Sequence, residues 1–175
     1  ESQLQYSIIE QKNNRGKVVA INEAVSKLTD DVIMLSDVSS LISIDGLRIA
    51  ADHFADKNIG VVCGTYHMLA PMKEGEKYYW NYQVALKQNE SILGAPLGAH
   101  GACYFFRREL FTPLPLDTIN DDFILPLSIV AEGARAVYDS NIVAIELESV
   151  NYKNDFERRQ RISAGNLQQI IRLRQ

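Results

Sequence analysis

At 175 residues the chain suits one domain with a real core, and 46% hydrophobic with 23% charged residues is an ordinary globular profile. A net charge of -4 argues against a nucleic-acid binder, which needs a basic face. No apolar run approaches the roughly 20 residues that cross a bilayer, and no signal peptide is visible. Cys63 and Cys103 stand among apolar residues without a CxxC spacing. They read as buried thiols of a reducing compartment, not as a zinc or redox motif.

Leu4 to Glu10 reads as a strand of mixed alternation. A helix from Gly16-Lys17 to Leu28 carries Val18, Ile21, Ala24, Val25 and Leu28 at helical spacing. Asp31 to Ser36 is a nearly continuous apolar run, the pattern of a buried parallel strand. A helix over Ile44 to Phe54 and a buried strand over Ile59 to Gly64 follow. This order predicts an α/β sheet with crossover helices, in which ligands gather beyond the carboxyl ends of the strands.

In the second half, Glu76 to Leu93 reads as a long helix bearing Tyr78, Tyr79, Trp80 and Tyr82. The small-residue loop Gly94 to Gly101 precedes a strand at Ala102 to Arg107. Asp121 to Glu132 has a helical pattern that Gly133 is placed to end. A strand pair is expected over Arg135 to Glu146. Asn154 or Asp155 is suited to cap a last helix from Phe156 to Leu173.

Four features hold residues able to do chemistry, each with a plainer structural reading. Asp37, in Ser36-Asp37-Val38-Ser39-Ser40, is either a turn former or an oxygen ligand for magnesium or manganese. Asn120-Asp121-Asp122 opens a helix, where acids are favoured by the dipole, but one carboxylate there also suits a general base. Neighbours on a helix face different ways, so at most one of the two acids takes that role. Arg158 and Arg161 share a helical face and suit a diphosphate, or they form a solvated basic face. His100-Gly101-Ala102 allows a sugar close to the backbone, or simply tight packing.

In order along the chain, GKVVAIN (16–22), the DxD-like SDVSS, GACYFFRR, DDFILPL and RRQRI followed by SAGNLQ resemble family 2 glycosyltransferases. The nearest likeness is to bacterial membrane-associated polysaccharide synthases of the cellulose and hyaluronan synthase type. The resemblance implies a GT-A fold, a Rossmann-like nucleotide-binding sheet joined to an acceptor-binding part. It places residues 1–70 in the remainder of that sheet and 71–175 in the acceptor and catalytic part of one domain. It implies Lys17 near the nucleotide, Asp37 on the metal (Mg2+ or Mn2+) and the diphosphate, and Asp122 as the base. Asp121, His100 and Gly101 would lie near the donor or acceptor sugar, and Arg158 and Arg161 near the diphosphate.

Ser39 stands where the second acid of DxD is usual, Arg158 where the family has Gln, and Ile162 where it has Trp. Ser39 and Ile162 support, as an alternative, a catalytically inactive glycosyltransferase-like binding module. A nucleotidyltransferase would need a Gly-rich phosphate loop or a second acidic ligand, neither of which is visible. The implied partners are a nucleotide-diphosphate sugar and a sugar or lipid-linked acceptor. The intact protein is expected at the cytoplasmic face of the membrane, held there by parts outside this chain, with the chain itself soluble. The sequence reads as a fragment that lacks the first strands and the base-reading segment. On that reading it binds the donor poorly, is inactive alone, and pairs through an exposed sheet edge with a second copy.

Overall fold

The structure is a computed structural model that describes residues 6–68, 74–94, 96, 98–147 and 152–172. The side chains of residues 68, 74–77, 79–80, 152–155 and 158 lie outside that description. Helix α1 spans Lys17–Lys27 and β1 spans Val32–Ser36. Short β2, Ser40–Ile42, leads to α2, Gly46–Phe54, then β3, Ile59–Met68, and α3, Glu74–Ile92. Strand β4, Cys103–Arg107, is followed by α4, Asp121–Ala131, β5, Arg135–Glu146, and α5, Tyr152–Arg172.

The described strands form one sheet in the order β1-β4-β3-β5-β2. Strands β3 and β5 are parallel, while β4 runs against both β1 and β3, and β2 against β5. The carboxyl ends of β1, β3 and β5 therefore share one border of the sheet. Alternation along the strands divides the core in two. Val61, Cys63, Tyr104 and Phe106 face α1 and α4, meeting Val18, Ile21, Val25, Leu125 and Ile129. Val62, Tyr66, Cys103 and Phe105 face α2, meeting Ala50 and Phe54. The result is an α/β domain with helices on both faces of a mixed sheet.

Several expectations need correction. Residues 6–10 form no strand: Tyr6 and Ile8 are exposed and no described strand pairs with them. Strand β1 is not an interior parallel strand but an edge strand antiparallel to β4, with Ile33 opposite Phe106. Its apolar run is covered unevenly, for Ile33 is buried while Met34 is 38% exposed. Strand β2 was not anticipated, since three residues are too short a run for strand alternation to show. The expected strand pair at 135–146 is one bent strand. Gly64 pairs with Asp139 and the next residue, Thr65, with Val143, so three residues of β5 bulge out. A Cβ on Gly64 would lie 2.7 Å from the Ile142 carbonyl oxygen, so the bulge closes against a bare backbone. Helix α5 begins before Phe156, which places Asn154 and Asp155 inside it and not at its cap.

Helix α3 agrees with its sequence pattern, and α4 ends at Ala131, two residues before Gly133, whose φ of 96° suits glycine. Gly60, at the start of β3, lets α4 close on the sheet. A Cβ there would stand 2.6 Å from Ile129 Cγ2, 2.7 Å from Ala134 Cβ and 2.9 Å from Leu110 Cδ1. Gly60→Ala is therefore expected to destabilise the fold by about 1–3 kcal/mol through overpacking. Urea denaturation measures this, and an unchanged midpoint would contradict the packing described.

Candidate active site

The border formed by the carboxyl ends of β1 and β3 gathers most of the residues singled out from sequence. Lys17 is the first residue of α1, entered through Gly16 at φ 90°. A positive charge at a helix N-terminus is disfavoured by the dipole, so Lys17 needs compensation from outside its helix. It has that compensation: its Nζ is 3.2 Å from Asp121 Oδ2 and 3.6 Å from Asp37 Oδ1. Burial pushes the ammonium pKa down, but Asp121 and then Asp37 outweigh it, and the pKa lies above its ordinary value.

Asp37 ends β1 in a tight turn, its carbonyl accepting from the Ser40 N–H at 3.1 Å. The Asp37 N–H and the Ser36 hydroxyl both donate to the Ala102 carbonyl, at 3.3 and 3.1 Å, which joins this turn to the start of β4. The Asp37 side chain is 41% exposed and that of Asp121 only 7%. Asp121 Oδ2 is buried without a well-aligned hydrogen bond, and the Lys17 ammonium stands within ion-pair range of it. The buried Tyr104 hydroxyl lies near the same acids. Burial, then the charges of Asp121 and Asp122, push its pKa well above the usual value.

Asp122 points elsewhere, as the helical offset between neighbours requires. Its Oδ2 would lie 3.0 Å from a Cβ on Gly101, so the carboxylate packs against bare backbone. Burial, and next the Asp121 charge, raise its pKa above the ordinary aspartate value, with Lys17 opposing. Pro126 holds the loop in place indirectly. Having no N–H, it leaves the Asp122 carbonyl without its usual partner four residues on. The Ala99 N–H donates to that oxygen at 2.7 Å instead. Gly98, at φ 72°, packs on Phe123, and the His100 ring stacks on Tyr66 with centroids 6.0 Å apart.

Two asparagines that sequence reasoning left without a role set the frame. Asn22 Nδ2 donates to the Leu114 carbonyl at 2.9 Å and its Oδ1 accepts from the Leu114 N–H at 3.0 Å. That double bond ties α1 to the segment leading into α4. Asn120, at the N-cap position of α4, makes no capping bond. Its amide instead donates to the Ile162 carbonyl at 3.0 Å and to Asn166 Oδ1 at 2.9 Å. Gly165 makes room for it, since a Cβ there would fall 2.4 Å from the Asn120 side chain. Arg161, exposed on α5, lies one turn before Gly165 on this stripe. The Arg158 side chain lies outside the described residues.

Burial lifts the Cys63 thiol to about 12 and the Cys103 thiol to about 11, in keeping with inert structural cysteines. A polar cleft of about 340 Å³ lined by Asp31, Lys57, Arg107, Arg108 and Glu109 opens at the opposite end of β1. Its arginines are already bound to the carbonyls of Ile59, Phe54 and Asp30, which leaves them poorly placed to take up a ligand. Among the described residues no helix is long and apolar enough to cross a membrane.

Gly165→Ala is expected to force Asn120 from α5 and cost about 1–3 kcal/mol. Asn120→Ala loses two hydrogen bonds and should cost about 1–2 kcal/mol. If the contact is as described, Gly165→Ala costs markedly less in an Asn120→Ala background; additive losses in a denaturation double-mutant cycle would refute it.

The sequence pattern of Glycosyl transferase family 2 matches residues 2–113, more than half of the chain, and ends before Asp121. Among solved structures, the mannosyltransferase PcManGT from Pyrobaculum calidifontis, in complex with GDP-Man and Mn2+, is similar with a TM-score of 0.68 and 25% identity. That similarity covers 83% of this chain and 40% of that one. Glucosyl-3-phosphoglycerate synthase from Mycobacterium tuberculosis, with Mn2+ and UDP-glucose, gives a TM-score of 0.52 at 15% identity over 87% of this chain and 54% of that one. At that identity the second likeness shows the fold alone. The chain thus spans about half the length, or less, of these two structures. No curated protein matches it. With the pattern covering β1 through β4 and a GT-A mannosyltransferase sharing the sheet, the chain belongs to glycosyl transferase family 2.

Proposed function

We propose that the chain carries the site of an inverting glycosyltransferase that moves a sugar from a nucleotide-diphosphate donor to an acceptor hydroxyl, with Asp122 as general base. The observation that carries this reading is the division of labour at the start of α4. Asp121 is neutralised by Lys17, while Asp122 is half-buried against Gly101 with a raised pKa. A carboxylate with a raised pKa is the better proton acceptor, and the bare Gly101 backbone leaves room for a sugar beside it.

Among the described residues no three His, Cys, Asp or Glu side chains gather to hold an ion by themselves. The turn offers a partial, all-oxygen set, the Asp37 carboxylate with the nearby hydroxyl residues Ser36 and Ser39. Such a set fits Mg2+ or Mn2+ when diphosphate oxygens and water fill the other positions. PcManGT, with its Mn2+ and GDP-mannose, supports this donor class. Bound there, the ion would offset charge on the departing nucleoside diphosphate. Lys17 and the N-terminus of α1 would face the same diphosphate, with Arg161 and, by resemblance, Arg158 adding guanidinium contacts from α5. His100 and Asp121 would border the sugar.

The acceptor hydroxyl gives its proton to Asp122 and attacks the anomeric carbon opposite the diphosphate. The carbon–oxygen bond to the donor breaks as the new one forms, and the configuration inverts. The ordered motifs support a role in bacterial polysaccharide or glycoconjugate synthesis at the membrane, with a sugar or lipid-linked acceptor. An inactive sugar-nucleotide-binding module is the second reading, favoured by Ser39 and Ile162.

In the intact protein, Asp122→Asn should lower transfer about 10²- to 10⁴-fold with donor binding kept. Because the base works deprotonated and its pKa is raised, kcat/KM should fall with acid at a higher pH than an ordinary aspartate would give. Near-full transfer by the Asn variant would remove Asp122 from the role. Donor binding with no turnover under any condition would support the binding module.

A further inference from the structure

One ammonium serves two carboxylates from different parts of the fold. Lys17 Nζ meets Asp37 Oδ1 from the β1 turn and Asp121 Oδ2 from α4. Asp121 Oδ2 is buried, faces this point and has no hydrogen bond. Among the described residues its ion-pair partner is Lys17, and a buried anionic oxygen held by an ion pair without a well-aligned hydrogen bond is poorly satisfied. The Lys17 side chain is 51% exposed and sits on a helix end that disfavours it, so it has a path to solvent if its two ion pairs are replaced.

We propose that Asp37 and Asp121 form one cation position, that the Lys17 ammonium fills it in the ligand-free protein, and that a divalent ion enters by displacing Lys17. Asp121 thereby supplies the second carboxylate that Ser39 does not. The donor set is all oxygen, as Mg2+ and Mn2+ require. The α4 end is fixed, because the Asn120 amide and the Ala99–Asp122 hydrogen bond clamp it. The Asp37 end is more exposed, and rotation of its side chain can close the gap once the ammonium leaves. The lysine stem then swings toward solvent, where it can reach a phosphate shared with the ion. This extends the glycosyltransferase reading for the bound donor only, and the cation exchange is measured without nucleotide.

The test is Mn2+ titration followed by the electron paramagnetic resonance signal of the free ion, with thermal melts run on every variant. Lys17→Met should bind Mn2+ about tenfold more tightly than the parent, or better, because a like charge within a few ångströms has gone. Lys17→Gln, read in parallel, should do the same, and Lys17→Arg should stay weak. Adding Asp121→Asn to Lys17→Met should abolish the gain. Unchanged or weaker binding in both neutral variants would overturn the proposal, as would a Lys17→Met/Asp121→Asn protein that binds as tightly as Lys17→Met. Tight binding by the neutral variants in a protein that transfers no sugar would leave the exchange standing and count against the glycosyltransferase reading.

Discussion

The ion pair between Asp121 and Lys17 is the constraint on which the site depends. A carboxylate that is nearly inaccessible to water has to have a positive partner, since an unpaired buried charge is costly. Lys17 supplies that partner from another helix, and its remaining reach takes in Asp37 at the end of β1. Three elements distant in sequence thus meet at one point on the sheet border. The contacts that fix their spacing are neutral and directional: Asn22 on Leu114 and Asn120 on α5. Electrostatics at the centre and amide hydrogen bonds at the periphery give a site that is charged yet well positioned.

With Asp121 held by Lys17, Asp122 is left as the less compensated acid. The helical offset turns it toward the 98–101 loop, where glycines admit close approach. Pro126 is what anchors that loop, by freeing a carbonyl that α4 would otherwise use itself. A residue usually disruptive inside a helix here creates the docking point for the loop beside Asp122. The Tyr104 hydroxyl is buried near the same charges, and it keeps its proton at any physiological pH because both burial and the acids oppose ionisation.

Much of this was legible in the sequence because it rests on local pattern. The helical spacing of Val18, Ile21 and Val25, the acid ending a short apolar run, and the Asp pair opening a helix each lie within one element. What escaped depends on partners far along the chain. The antiparallel pairing of β1 requires β4, and nothing between residues 31 and 36 states its direction. The bulge in β5 depends on Gly64 meeting Ile142, and the Asn120 clamp on an α5 residue 42 positions later. The consequence of Pro126 was available in principle, since a proline four residues after Asp122 leaves that carbonyl free. Arg161 of α5 is exposed, one turn before the buried Gly165, and its proposed contact with the diphosphate rests on the likeness of RRQRI to the family pattern.

The most direct test of the account is nuclear magnetic resonance of the 15N-labelled protein titrated with Mn2+ and a nucleoside diphosphate. The account predicts paramagnetic broadening centred on the amides of Lys17, Asp37, Gly101, Asp121 and Asp122, with Lys57 and Glu109 at the far end of the sheet spared. Broadening centred on the cleft at Asp31, Lys57 and Glu109, or none at millimolar Mn2+, would contradict it.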